Sequence, residues 1–329
     1  MLHVHINCLK TGRKIKGHMS IISISEAILR LKADKVVGLP TETVYGLAGS
    51  ISSQVALETI FKTKDRPFFD PLIIHVSCLE QLKSLTSIYP EDIIKKLFKA
   101  FWPGPLTIVL PKSDQVSDLI TSGLNTVAIR IPDHPLFLEA ASEVGPLAAP
   151  SANKFGKTSP TKASHVVDEF GGNIGVVDGG DCEVGIESTI LSIEKGNFKI
   201  LRPGLITKSE IAKVLGVGKD KIISSHSGDN APGQLKYHYQ PEVPLALTDN
   251  AKDIATDLLK LTDKKITNYK VLELSDNPLI FARTMYAQFR EESKNPYDLL
   301  VIEKNKSTEG VWASIENRLQ RAATWDLRH

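Results

Sequence analysis

The chain has 329 residues, of which 42% are hydrophobic and 24% charged, and its 40 Lys and Arg nearly balance 38 Asp and Glu for a net charge of +2. That length predicts about two domains at roughly 100–200 residues each, the composition is that of a globular protein with a real core, and the charge leaves no strong footprint for nucleic acid beyond a local basic groove. Cys8, Cys78 and Cys182 are odd in number and far apart, which excludes a disulfide framework and a CxxC-type zinc site and fits a reducing, cytoplasmic compartment; no apolar run reaches the ~18 residues of a membrane span.

Residues 1–18 are basic and lack the apolar stretch of a secretory signal. They read as a natural extension, a misassigned upstream start or a tag remnant, and the folded part is expected from Met19. Ser23 and Glu26 have capping-box spacing before a helix that buries Ala27, Ile28 and Leu31, and Lys35–Leu39 reads as a strand. The next stretch, "GLPTETVYGLAG", breaks an apolar run with Thr41, Glu42 and Thr43 and then resumes it, which places three polar side chains where the chain is about to re-enter the core. Ser53–Lys64 is predicted helical, "PLIIHV" a short buried strand, and Glu91–Trp102 a helix stopped by Pro103-Gly104. Strands come next at "LTIVLP" and "TVAIRIP", then a helix near Pro135–Val144, the apolar run "PLAAP" and a helix over Lys162–Phe170. "IGVVDGG", "STILSI" and "FKILRPG" read as strands, and Thr207 with Glu210 opens a helix that ends at Gly216.

Strands here do not alternate strictly with helices, so residues 19–216 are expected to form a twisted mixed β-sheet with surrounding helices. Residues 217–241 lose the pattern to Gly, Ser, Asp, Asn and Pro and read as a linker or long functional loop. From 242 to 329 strands and helices alternate regularly: "VPLALT", helix Ala251–Leu261, "YKVLEL", helix Pro278–Glu292, "YDLLVIE" and helix Gly310–Ala323. That is the pattern of a smaller α/β, Rossmann-like domain with a parallel sheet.

"SANKFGKT" falls one glycine short of a phosphate-binding GxxxxGK[ST] loop, because Ser151 stands at its first position, and Pro160 interrupts the segment after it. GxGxxG, HExxH and GxSxG patterns are absent. Polar and cationic groups at strand ends remain. Lys64 and Arg66 lie at or just past a helix end, either as a solvated basic terminus or as an anion site. Arg130 interrupts an apolar strand, so it has an internal carboxylate partner or faces a cleft. Ser151 and Asn153 come after an apolar run, Glu187, Ser188 and Thr189 repeat the polar triplet in "GIESTIL", and Arg202 closes another strand. His75 on its strand reads as a core residue when taken alone. Together these groups suit a substrate carrying phosphates and a carboxylate, in a cleft with no nucleophile–base pair, where chemistry proceeds by positioning and charge stabilisation.

"GLPTETVYGLAG", "KDRPFFDPLIIHV", "FWPGPLTIVL", "TVAIRIPDHP", "PLAAPSANKFGKTSPT", "GIESTIL" and "ILRPG" occur in the order of the YrdC-like family of threonylcarbamoyl-AMP synthases, and "APGQLKYHYQP" with the C-terminal segment resembles the family's long form. The resemblance implies synthesis of threonylcarbamoyl-adenylate and pyrophosphate from L-threonine, bicarbonate and ATP, with Mg2+ accompanying the ATP. The product would pass to tRNA threonylcarbamoyl transferase proteins, without stable nucleic-acid binding by this chain. It implies Lys64, Arg66, Ser151 and Asn153 as the catalytic constellation. Thr43, His75, Arg130, the backbone of Ala149 and Ser188 would hold threonine, with Arg66, Asp70, Thr126, Ser151, Ser159, Arg202 and Tyr239 on ATP. Tyr237 or Tyr239 of the linker would close over the site. Two departures stand out: Asp70 replaces the family's usual Asn, putting a negative charge near phosphates unless Lys64 or Arg66 compensates, and Gln234-Leu235 breaks the commonest linker pattern. Lys64→Ala and Arg66→Ala are expected to be nearly silent for folding and severe for rate. The alternatives are an RNA-binding module of the same fold and a carbamoyl transferase using carbamoyl phosphate.

Overall fold

The computed structural model describes residues 20–194, 196–224, 238–254, 266–303 and 309–328. Helix α1 (Ile24–Lys32) starts where the Ser23 hydroxyl accepts the Glu26 N–H at 3.1 Å, and it buries Ala27, Ile28 and Leu31. Strands β1 (Val37–Leu39) and β2 (Gly46–Ser50) pair antiparallel with Leu39 opposite Gly46, so Pro40–Tyr45 is the loop of a hairpin. Helix α2 (Gln54–Lys64) ends at Asp65, whose left-handed φ of 52° turns the chain sharply towards β3 (Ile73–His75).

After α3 (Leu79–Leu85) and α4 (Glu91–Phe101) come β4 (Leu106–Pro111), the short α5 (Asp118–Thr121), β5 (Thr126–Arg130), α6 (Pro135–Val144), β6 (Leu147–Ala148) and α7 (Ala163–Phe170). Strands β7 (Thr189–Glu194) and β8 (Asn197–Arg202) and helix α8 (Lys208–Leu215) complete the series, and α8 carries the full Thr207–Glu210 capping box. The strands form a nine-stranded sheet in the order β1-β2-β6-β3-β5-β4-β7-β8-β9, where β9 is Ile222–Ser224. Pairs β3–β5, β4–β7 and β8–β9 are parallel and the others antiparallel, which makes the sheet mixed.

Two readings of this region change. "IGVVDGG" is not a ladder strand: only Val176 bridges, to Ile21 and Gly38. The backbone groups at its end are taken by a side chain, since Gly179 N–H donates to the Tyr45 hydroxyl (3.0 Å) and that hydroxyl donates to Gly180 O (2.8 Å). The linker also begins with structure. A 3-10 turn at Lys219–Lys221 leads into β9, which extends the sheet at its edge while burying only Ile222. Residues 225–237, including Tyr237 and the Gln234-Leu235 departure, lie outside the described residues, as do residues 1–19 and most of the helix expected at Ala251–Leu261, of which Ala251–Asp253 forms a 3-10 turn.

The C-terminal sheet is parallel throughout, in the order β11 (Tyr269–Val271), β12 (Leu299–Glu303), β10 (Leu245–Thr248), β13 (Trp325–Asp326). Helices α9 (Pro278–Glu292) and α10 (Val311–Ala322) pack on it through Phe281, Met285, Phe289, Ile315 and Leu319. The same apolar cluster takes in Val44, Ile186 and Tyr239, so the two sheets share a core at the point where the polar motifs converge. Among the described residues no helix is long and apolar enough to cross a membrane.

Candidate active site

The hairpin loop explains its polar triplet residue by residue. Thr41 Oγ1 accepts the N–H groups of Thr43 (3.1 Å) and Val44 (3.2 Å) and donates to Val44 O at 2.7 Å, so Thr41 closes the turn. That turn aims Glu42 and Thr43 at Arg130. Arg130 Nη2 lies 2.5 Å from Glu42 Oε1, Nη1 donates to Thr43 Oγ1 at 2.9 Å, and Nε donates to Gly104 O at 3.2 Å. Arg130 thus has an internal carboxylate partner and lines a cavity as well. The Glu42 contact is an ion pair without an aligned hydrogen bond to either carboxylate oxygen.

His75 sits beside Arg130 in the parallel β3–β5 register. Its Nδ1 is 3.2 Å from Ile73 O, and burial, reinforced by the Arg130 charge, pushes its pKa down to about 3, so the ring is neutral. On the other side, Thr107 pairs with Arg130 across β4–β5, and its hydroxyl lies 2.7 Å from that of Ser188. Arg202 fixes Ser188 twice, through Nε to the carbonyl (3.1 Å) and Nη2 to the hydroxyl (3.2 Å). Ala149 N–H donates to Ile73 O, and the residue forms part of the wall.

Lys64 departs from both readings of a helix-end cation. It is 1% exposed, and Nζ donates to Ser151 O and Asn153 O at 2.5 Å each. It ties the "SAN" loop to α2 from behind and does not line the cavity. Burial, then the neighbouring Arg66, hold its pKa well below that of a free lysine. Arg66 is also buried: Nε donates to Asp70 O (3.0 Å), Nη2 donates to Pro71 O (2.7 Å) and lies 2.9 Å from Asp70 Oδ2. Asp70 is therefore compensated by Arg66 rather than free to repel phosphates, although burial pushes its pKa up. These contacts overturn the expectation that Lys64→Ala and Arg66→Ala leave folding nearly untouched, because each would orphan buried acceptors.

The structure brings Thr43, Arg66, His75, Arg130, Ala149, Ser151, Ser188, Arg202 and Tyr239 onto one cavity wall. Asn153 stands behind Ser151, its amide donating to Lys154 O and Lys157 O. Ser159 is buried and donates to Glu187 Oε1 at 2.6 Å. Thr126 shares the Arg130 face of β5 but lies four residues along it, roughly 13 Å away, and is not on this wall. Sequence reasoning misses Thr107 and assigns no role to Glu42, Glu187 or His238. The unfilled volume is about 50 Å³, room for roughly four waters, and His238 and Tyr239 form part of its lining. The linker end is fastened there by Gln240 N–H to Gly156 O (2.8 Å), Thr158 N–H to Gln240 O (3.0 Å) and Thr158 Oγ1 to Tyr239 O (3.1 Å).

Known proteins resemble this chain over most of its length. The model of the Sua5/YciO/YrdC family, described as "Telomere recombination", matches residues 30–204, and that of "Threonylcarbamoyl-AMP synthase, C-terminal domain" matches residues 206–324. The chain is 39% identical to a threonylcarbamoyl-AMP synthase of Bacillus subtilis (strain 168), covering 91% of this chain and 92% of the relative. It is 35% identical to the protein of the same name from Pyrococcus abyssi, covering 90% and 93%. The crystal structure of P. abyssi Sua5 complexed with L-threonine superposes with a TM-score of 0.84 at 34% identity, covering 93% of this chain and 96% of the other. The chain belongs to the YrdC-like threonylcarbamoyl-AMP synthase family, in its long form with a C-terminal accessory domain.

Proposed function

We propose that this site joins L-threonine, bicarbonate and ATP into threonylcarbamoyl-adenylate, releasing pyrophosphate, and that the product serves threonylcarbamoyl modification of tRNA by separate transferase proteins in the cytoplasm. The observation that carries the reading is the polar corner formed by Arg130, Thr43, His75 and Ser188, buried and of amino-acid size, together with the L-threonine complex of the P. abyssi relative. Arg130 receives the threonine carboxylate, since two of its five N–H groups make hydrogen bonds and the two on Nη2, beside Glu42, make none. Thr43 and Ser188 present hydroxyls to the amino acid. Neutral His75 adds no competing positive charge beside the amine.

The threonine amine takes up bicarbonate to give a carbamate and water. A carbamate oxygen then attacks the α-phosphorus of ATP, and the bond to pyrophosphate breaks. Arg66 and Arg202 stabilise charge building on the phosphoryl oxygens, Ser151 offers its hydroxyl, and Lys64 and Asn153 hold the Ser151 loop in place. Asp70, Thr126, Ser159 and Tyr239 are assigned to the nucleotide by family resemblance. Mg2+ would accompany the ATP and screen its phosphates; the carboxylates of Glu42, Asp70 and Glu187 each face an arginine. Water must be excluded, because carbamate and mixed anhydride both hydrolyse. The linker residues His238 and Tyr239 on the cavity lining serve that need and must withdraw to admit ATP. Pyrophosphate release measured with threonine, bicarbonate and ATP each omitted in turn tests the reading; release that persists without threonine or without bicarbonate refutes it.

A further inference from the structure

Two side chains of the accessory domain, Arg318 and Tyr286, hold Glu187 on the wall of the synthase site. Arg318 of α10 is 0% exposed. Its Nε lies 3.2 Å from Glu187 Oε2, Nη2 donates to Glu187 O at 3.3 Å, and Nη1 donates to Pro203 O. Glu187 also accepts the Tyr286 hydroxyl of α9 at 3.2 Å and the Ser159 hydroxyl at 2.6 Å. The ring of Tyr239 contacts both of these accessory-domain residues, stacked on Tyr286 at 5.8 Å with Arg318 Cζ 5.7 Å from its centroid. Behind the loop the fit is close. Gly185 has φ +78°, and a Cβ there would come within 2.4 Å of Arg283 Cα, while Ser314 Oγ donates to Gly204 O at 2.7 Å.

Glu187 lines the cavity beside Arg202 and Ser188. An uncompensated carboxylate at that position would oppose a triphosphate. We propose that Arg318 is a positioning residue for the nucleotide half of the site: it neutralises Glu187 and fixes the Gly185–Ser188 loop, so that the accessory domain, and not the catalytic domain alone, sets ATP affinity. The threonine half depends on a separate ion pair, Arg130 with Glu42, so the two substrates report on different arginines.

The inference rests on the synthase reading above. Its test measures pyrophosphate release by the full chain with ATP varied at saturating threonine and the reverse, for Arg318→Gln, Arg318→Lys, Glu187→Gln and the Glu187→Gln/Arg318→Gln pair. At an effective dielectric of ~20, one uncompensated carboxylate acting on one phosphate charge across ~10 Å corresponds to a weakening of at least about tenfold. Arg318→Gln should therefore raise KM for ATP about tenfold with little change in KM for threonine. Arg318→Lys should recover part of the loss, and the double substitution should return KM for ATP to within about twofold of the parent. A purely structural arginine would lower the melting temperature in the single and double variants alike and leave the two KM values unsplit, which overturns the proposal. If Arg318→Gln does not fold, Glu187→Gln decides: it should lower KM for ATP, and a rise overturns the proposal. Failure of the parent chain to release pyrophosphate would count against the synthase reading. Calorimetric ATP binding to the same variants would then judge the role of Arg318 by itself.

Discussion

Replacing Arg130 by methionine should separate what the residue does for the fold from what it does for threonine. Arg130 and Glu42 are 4% and 6% exposed and meet at 2.5 Å. Arg130→Met leaves Glu42 buried as an unpaired charge, which costs about 3–5 kcal/mol, or about 6–20 °C in melting temperature at ~2–4 °C per kcal/mol for a domain of this size. Glu42→Gln removes the orphaned charge, so the double variant should regain most of that loss. Threonine affinity should not return with it. The charge-assisted hydrogen bonds to the carboxylate, about 1.5–3 kcal/mol, are gone in both variants, a weakening of roughly 10- to 150-fold. Circular-dichroism melting curves and calorimetric threonine titrations of the single and double variants separate the two effects. Threonine bound by the refolded double variant as tightly as by the parent would refute the carboxylate assignment; a double variant as unstable as the single would refute the orphan-charge reasoning.

Lys64→Met keeps the apolar stem but strips donors from Ser151 O and Asn153 O. It should cost about 1–3 kcal/mol in urea titrations and slow single-turnover adenylate formation roughly 100-fold by loosening the serine loop; an unchanged rate would remove Lys64 from the constellation. Asp70→Asn abolishes the ion pair with Arg66 while leaving Arg66 its carbonyl contacts to residues 70 and 71, so KM for ATP should fall several-fold in steady-state assays, and a rise would show that Asp70 positions Arg66 rather than restrains it. Acid should destabilise the fold through buried histidines. His75 titrates at about 3 and His165 at about 4 in the folded chain, both lowered first by burial, against ~6.5 unfolded. The unfolded chain therefore binds more protons as pH falls below ~6.5, so stability is complete above that value and declines towards pH 4 and 3. His75 contributes about 1.4 kcal/mol per pH unit, and urea midpoints at pH 7, 6 and 5 should fall less steeply in His75→Gln.

Local signals in the sequence are legible and remote ones are not. The Thr207–Glu210 box and the Pro135–Val144 helix are written in contiguous residues, and both appear in the structure. Helix α3 escapes a sequence reading because Cys78 offers no side-chain cap and seven residues carry little periodicity. Strand β9 reads as linker because only one of its three side chains is buried, while "IGVVDGG" has the burial of a strand without its ladder. In the site, a lone arginine in "VAIRIP" announces itself, but the choice between a carboxylate partner and a cleft is decided by Glu42, 88 positions earlier. Lys64 reads as a solvated helix end because nothing local reveals the carbonyls of residues 151 and 153. Arg318 carries no signal at all: it falls within the helix expected at Gly310–Ala323, and nothing local points to Glu187, 131 positions earlier.

The near-neutral charge of the chain and the cationic demands of its substrates are reconciled inside the cavity itself. Arg66 faces Asp70, Arg130 faces Glu42, and Arg318 faces Glu187. A guanidinium buried alone would be costly; beside one carboxylate it stays charged, desolvated and fixed in direction while it still has N–H groups to offer, because the fork has five donors. The first two pairs can therefore wait without substrate and then accept an anion with little reorganisation, which is the condition under which electrostatic stabilisation lowers a barrier; the third, away from the cavity wall, only neutralises its acid. The cost is that every carboxylate is also a potential repellent. Affinity for threonine or for ATP then depends on how completely each acid is matched by its arginine, and one of those matches is made by a residue of the accessory domain.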